Sequence, residues 1–274
     1  MLTHYVKGEL NTDQPTLIML HGFISDHTTF HLVEDKIVNN DINIIEIDLP
    51  GHGQDKSRID DEWSMPFIAQ QLLEVIEYYN LNQVFLHGYS MGGRVALSFA
   101  IQHPQVLKGL ILESASPGIQ DNDEKQKRIE VDKNRAQLIS EIGVTEFVNE
   151  WEQLPLFNTQ NHLASEERKR IRKMRLSQNA KGLSKSLIDY GTGSQTSYWA
   201  MLDQLQTPVC IIVGSEDEKF INIGSKMNNC FKNSELHIVK EAGHTIHVEQ
   251  PTKFDTIIVE FILGGTLCQD NGKR

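Results

Sequence analysis

The sequence predicts an α/β fold: a mostly parallel sheet with helices on both faces, and an all-helical insertion before the sheet resumes. Three observations carry this. Short apolar runs alternate with helical stretches along both ends of the chain. From about Ser116 to Tyr198 the strand-like runs disappear and charge-rich helical segments replace them. One apolar run also passes directly through Gly88-Tyr89-Ser90-Met91-Gly92-Gly93-Arg94 into a helical stretch.

In order, Thr16 to Leu20 is a continuous apolar run ending in His21-Gly22-Phe23, and Ile42 to Leu49 is a second, ending in Pro50-Gly51-His52-Gly53. Runs rich in β-branched residues and stopped by glycine suit strands buried on both faces. A helical stretch, Met65 to Asn80, leads to the strand-like Gln83 to His87, and the helix that follows runs into Leu107 to Leu112. Strands and helices in this alternation imply parallel pairing, with a site beyond the carboxyl ends of the strands. Helical segments are expected at Asp123 to Glu141, Val144 to Glu152 and Ser165 to Leu176. The sheet pattern returns with Pro208 to Gly214 and Glu235 to Lys240, and a closing helix is expected over Thr252 to Leu263. Residues 1–115 and 199–263 thus read as the core, 116–198 as a lid over Ser90, and 264–274 as a disordered tail.

The chain has 274 residues and a formal net charge of -11, which argues against nucleic acid or an anionic membrane as partner. Cys210, Cys230 and Cys268 are too few and too scattered for a disulfide framework or a zinc site. No apolar leader or membrane-length run is present, so a cytoplasmic protein is expected, a monomer or weak homo-oligomer acting on a small molecule. The charge is uneven. Residues 120–200 carry thirteen Lys+Arg against twelve Asp+Glu, so half the basic residues lie where the substrate is expected. Arg168, Lys169, Arg170, Arg172 and Lys173 read best as a solvated helix surface, and inward arginines are the exception to look for.

The heptapeptide carries the chemistry. A strand that turns sharply into a helix holds its central residue in strained geometry, and glycines two before and two after leave room for it. Ser90 then stands at a helix amino terminus, where unpaired N–H groups favour an oxyanion. The alternative is a tight turn with Ser90 as a plain helix cap. A serine hydroxyl needs a histidine to take its proton and a carboxylate to orient that histidine. Asp217, after the strand ending at Gly214, is the candidate acid, with Glu216 and Glu113 as weaker competitors and a helix cap as the other role. His244, on the loop after the last strand, is the candidate base, with His247 three residues on as its competitor. The oxyanion donors expected are the N–H groups of Met91 and Phe23, and His21 is either part of that site or a histidine that holds its loop. Arg94, four residues beyond Ser90, shares a helix face with it; it either serves a carboxylate ligand or points aside into an ion pair.

These residues resemble the α/β-hydrolase superfamily over essentially the whole chain, through His21-Gly22-Phe23, Asp48 to Gly53, the elbow, Asp217 and His244. More narrowly, Gly-Tyr-Ser-Met-Gly-Gly-Arg is similar to the menaquinone-pathway family that eliminates pyruvate to form 2-succinyl-6-hydroxy-2,4-cyclohexadiene-1-carboxylate. Pro117-Gly118-Ile119-Gln120 with Arg128 and Asp132, Trp151 in Trp151 to Phe157, and Arg175 in Met174 to Asn179 resemble that family's lid motifs. The resemblance implies Arg94, Arg128 and Arg175 as a clamp for substrate carboxylates, with Tyr89, Gln120 and Trp151 around them. It implies Ser90 as a proton-removing base rather than a carbon nucleophile, and no metal or organic cofactor. Competing readings are a serine hydrolase of esters or carbon–carbon bonds in anionic substrates, and a non-catalytic receptor on the same fold.

Overall fold

The computed structural model describes the backbone of residues 1–270 and the side chains of residues 1–264. In chain order the elements are β1 (Thr3–Lys7), β2 (Thr16–Leu20), α1 (Glu34–Val38), β3 (Asn43–Asp48), α2 (Met65–Tyr78), β4 (Val84–Tyr89), α3 (Met91–Gln102) and β5 (Leu107–Glu113). There follow α4 (Asn122–Trp151), α5 (Ser165–Leu176), α6 (Ala180–Tyr190), β6 (Val209–Gly214), α7 (Glu218–Cys230), β7 (Ser234–Val239), α8 (Ile246–Glu249) and α9 (Pro251–Asp270). The seven strands form one sheet in the order β1-β3-β2-β4-β5-β6-β7. Only β1 runs antiparallel to its neighbour, pairing Thr3 with Asp48 and Lys7 with Ile44.

Successive strand side chains point to opposite faces, so a strand buried on both sides must be apolar throughout. All five residues of β2 are buried. Ile18 and Leu20 pack into the core beneath α2 and α3, while Leu17 and Met19 pack on the other face with Phe254, Ile258 and Ile262 of α9. Each such side chain contributes roughly 1.5–3 kcal/mol relative to exposure. Helix α2 begins where Ser64 accepts the Phe67 N–H, and it turns Ile68, Leu72 and Val75 toward the sheet.

From β2 the chain steps to β3 on one side and to β4 on the other. A crevice opens at such a reversal. Between β5 and β6 stands the helical insertion, with its own small core of Ile24, Ala136, Ile139, Phe147, Val148, Leu183 and Leu187. Gly143 (φ 78°, ψ 172°) breaks α4 between the two helical segments expected from the sequence.

Five elements lie outside the sequence reading: β1, α1, α6, α7 and α8. β1 is a half-exposed edge strand with no buried run to mark it. Helix α9 continues to Asp270, past Leu263, where the disordered tail was expected to begin; residues 271–274 lie outside the described residues. No described helix is long and apolar enough to cross a membrane.

Candidate active site

Ser90 occupies the single residue between β4 and α3, with φ 51° and ψ -103°. A non-glycine residue holds such a conformation only where its surroundings over-determine it. Here the Ser90 N–H donates to the Glu113 carbonyl (2.8 Å), and its own carbonyl accepts the Arg94 N–H (3.2 Å). The flanking glycines are needed for space: a Cβ on Gly88 would strike the Gly92 carbonyl, and one on Gly92 would strike the Leu20 and His21 carbonyls.

The loop after β7 brings His244 to the elbow. Its Nε2 lies 3.0 Å from Ser90 Oγ, and its Nδ1 lies 2.7 Å from Asp217 Oδ2. An Nδ1–H donated to the carboxylate leaves Nε2 free to accept the serine proton. Asp217 also caps α7, accepting the Phe220 N–H with Oδ1 at 3.3 Å. The two roles weighed for this residue therefore coexist, one per oxygen. Both His244 and Asp217 are buried, which shields their hydrogen bond from water.

Phe23 and Met91 line the cavity over Ser90, and no hydrogen bond to a described residue consumes either N–H. His21 is fully buried; its Nδ1 faces the Gly22 carbonyl at 2.7 Å and its Nε2 accepts the Leu49 N–H at 3.0 Å. It holds the loop that carries Phe23. The competitors fall elsewhere: Glu216 is exposed, and Glu113 pairs with His247 (2.9 Å) instead of with His244.

The cavity above Ser90 has a volume of about 360 Å³, and Arg94, Arg128, Arg175, Tyr89 and Trp151 all line it. Arg94 is 7% exposed, and its one side-chain bond runs from NH1 to the Tyr190 carbonyl (2.9 Å). Among the described residues no carboxylate pairs with it. Burial, with Arg128 nearby, lowers its pKa to about 10, so it remains a cation at neutral pH. Arg128 is held by Asp132 (2.8 Å), whose second oxygen accepts the Gly193 N–H (2.9 Å). Arg175 donates to Glu152 (3.2 Å) and Gln160 (3.0 Å) and lies over the Phe157 ring (4.9 Å). Trp151 stacks on Phe147 at 5.5 Å. A desolvated guanidinium without a countercharge is costly unless a ligand supplies one. The arrangement can therefore combine an activated hydroxyl, two free N–H donors and a cationic wall.

A family model for the alpha/beta hydrolase fold matches residues 15–251. The chain is also 38% identical, over 247 residues, to a Bacillus subtilis (strain 168) protein provisionally described as 2-succinyl-6-hydroxy-2,4-cyclohexadiene-1-carboxylate synthase, covering 90% of this chain and 89% of that one. The chain belongs to this synthase family within the alpha/beta hydrolases. An Enterobacter sp. (strain 638) synthase is 29% identical over 252 residues, covering 90% of this chain and 92% of its own. The solved structure of MenH from S. aureus superposes with a TM-score of 0.93 at 40% identity, covering 97% of this chain and all of that one.

Against the expectations drawn for the synthase family, one residue departs. Gln120 is exposed and does not line the cavity. The preceding turn is pinned by the Tyr198 N–H on the Pro117 carbonyl (2.7 Å) and by Trp199 Nε1 on the Gly118 carbonyl (3.0 Å), and Asp121 then caps α4. That geometry leaves Gln120 on the outer side. Arg135, which the sequence reading missed, lines the cavity and lies 5.5 Å from the Trp151 ring centre. Its spacing of seven from Arg128 puts both on one helix face and could have revealed it. Gln160, Lys219 and Phe220 also line the cavity and were missed. Among the described residues, the single group of side chains close enough to share a metal ion is Cys210, Glu235 and His237 on β6 and β7, away from Ser90.

Proposed function

We propose that this chain is a 2-succinyl-6-hydroxy-2,4-cyclohexadiene-1-carboxylate synthase of menaquinone biosynthesis, a carbon–oxygen lyase. Its substrate is 2-succinyl-5-enolpyruvyl-6-hydroxy-3-cyclohexene-1-carboxylate, a polyanion with an acidic C–H beside the succinyl carbonyl. Ser90, deprotonated by His244 with Asp217 fixing the tautomer, removes that proton. The electron pair becomes an enolate whose oxygen the Phe23 and Met91 N–H groups hold. Collapse of the enolate shifts the ring double bond and breaks the bond between the ring and the enolpyruvyl oxygen, which takes the bonding pair. The released enolate of pyruvate ketonises as its methylene carbon takes up a proton, the proton that His244 gained returns to solvent, and a conjugated diene remains. Arg94, Arg128 and Arg175 bind the carboxylates, since a planar guanidinium matches a carboxylate with two parallel bonds. Tyr89 and Trp151 pack around the ring. Residues 116–198 act as a lid over a core of 1–115 and 199–263, and the enzyme works in the cytoplasm on a small anionic substrate.

The observation that carries this reading is Arg94, a buried cation one helical turn from the nucleophile that makes no ion pair with a carboxylate of the described residues. A neutral ester gives it no partner. The test is pyruvate release from the enolpyruvyl substrate, followed with lactate dehydrogenase. Efficient cleavage of short acyl esters with no pyruvate released would assign the site to ester hydrolysis instead.

A further inference from the structure

A protein of net charge -11 repels a polyanion at long range, so a carboxylate-rich substrate needs a local path of opposite field. Helix α5 supplies one. A second cavity, also of about 360 Å³, lies on the outer side of this helix, bounded by the end of α4 and the turn Pro155–His162. Arg168, Lys169, Arg172 and Arg175 line it against one carboxylate, Glu152. Phe157, Gln160, Ile171 and Arg175 line both this cavity and the one over Ser90, so the two meet at the same few side chains.

Glu152 bridges the two arginines nearest that shared wall, pairing with Arg172 and with Arg175 (3.2 Å). A protein carboxylate thus occupies the place where an incoming carboxylate would first meet Arg175. Arg168 makes no ion pair with a described residue, and Lys169 pairs only with Glu166 (2.9 Å), one turn away on the same exposed surface. Both cations are therefore available to a passing anion.

We propose that this outer cavity is an anion-receiving vestibule: it captures small polycarboxylates, the substrate among them, which then displace Glu152 from Arg175 on the way to Ser90. The substrate's part in this rests on the function proposed above, whereas the anion site itself does not.

Two measurements test it. Citrate titrated into the 15N-labelled protein should shift the backbone amides of Gln153, Asn161 and Arg168 to Arg172, and Arg168→Glu with Lys169→Glu should abolish those shifts while Ser90→Ala keeps them. Shifts that persist in the double variant, or that never occur, overturn the vestibule whatever reaction the enzyme performs. With the enolpyruvyl substrate, Arg168→Gln with Lys169→Gln should leave kcat unchanged, lower kcat/KM roughly three- to tenfold and flatten its dependence on ionic strength. An unchanged kcat/KM and salt dependence, or a fall confined to kcat, overturns it. Absence of pyruvate release by the wild-type enzyme would instead reject the lyase assignment.

Discussion

Glu113 and His247, each a weaker competitor for a triad position, form a couple of their own beside the His244–Asp217 pair. The Glu113 carboxylate accepts the His247 backbone N–H (3.0 Å) and lies 2.9 Å from its Nδ1, and His87 Nε2 approaches the same carboxylate at 3.1 Å. His247 Nε2 meets Thr29 Oγ1 at 2.9 Å. Through its carbonyl Glu113 also accepts the Ser90 N–H, so one residue ties the elbow to the loop that carries His244.

Burial alone would raise the Glu113 pKa, but His247 and His87 outweigh it and hold the group at about 2. A carboxylate lowered from 4.5 stabilises the fold above its unfolded pKa and loses that contribution as pH falls toward 2. Glu113→Gln should therefore cost about 1.5–3 kcal/mol at pH 7. The gap from wild type, read by urea denaturation, should narrow at pH 4. A gap that widened in acid would mean the buried carboxylate is already protonated at neutral pH.

Because Asp217 caps α7 with one oxygen and faces His244 with the other, its two roles separate by substitution. Asparagine is a good helix cap, so Asp217→Asn should keep the melting temperature near wild type. It should nonetheless lower kcat by roughly 10³-fold or more, the scale seen when a serine–histidine pair loses its orienting acid. Asp217→Ala should lose activity and about 1 kcal/mol of stability. Normal turnover in the asparagine variant would shift the acid role to another carboxylate.

Arg94 is expected to trade stability for binding. Arg94→Met removes a buried charge that makes no ion pair with a described residue, so the melting temperature should rise. At the same time kcat/KM for the enolpyruvyl substrate should fall at least about tenfold. A destabilised variant with normal kinetics would make this arginine a structural residue.

Arg128→Ala and Arg175→Ala should each reduce kcat/KM roughly tenfold or more, the loss of one charge-assisted hydrogen bond worth about 1.5–3 kcal/mol. Both are tethered by acids in the free enzyme, Arg128 by Asp132 and Arg175 by Glu152. Steady-state kinetics close to wild type in the two variants would show that those internal pairs are their whole purpose.

Gly92→Ala would press a methyl group against the Leu20 and His21 carbonyls. Thermal unfolding should show a loss of about 1–3 kcal/mol, the usual cost of overpacking. An unchanged melting temperature would mean that the elbow can open without strain.

Much of this molecule is written in local pattern. Strands buried on both faces must be apolar at every position, so β2 through β6 were legible as runs, and the elbow was legible because a forced turn demands Gly88 and Gly92. Ser90, Asp217 and His244 were reachable too, since each follows a strand end in the expected chain order. Pairing across the fold was not legible. That Glu113 meets His247, that Arg94 pairs with no carboxylate among the described residues, and that Gln120 faces outward depend on contacts between segments far apart in sequence. Periodicity reports which side of its own element a residue occupies. The partner waiting there is chosen by how helices and loops close over one another, and that choice has no signature along the chain.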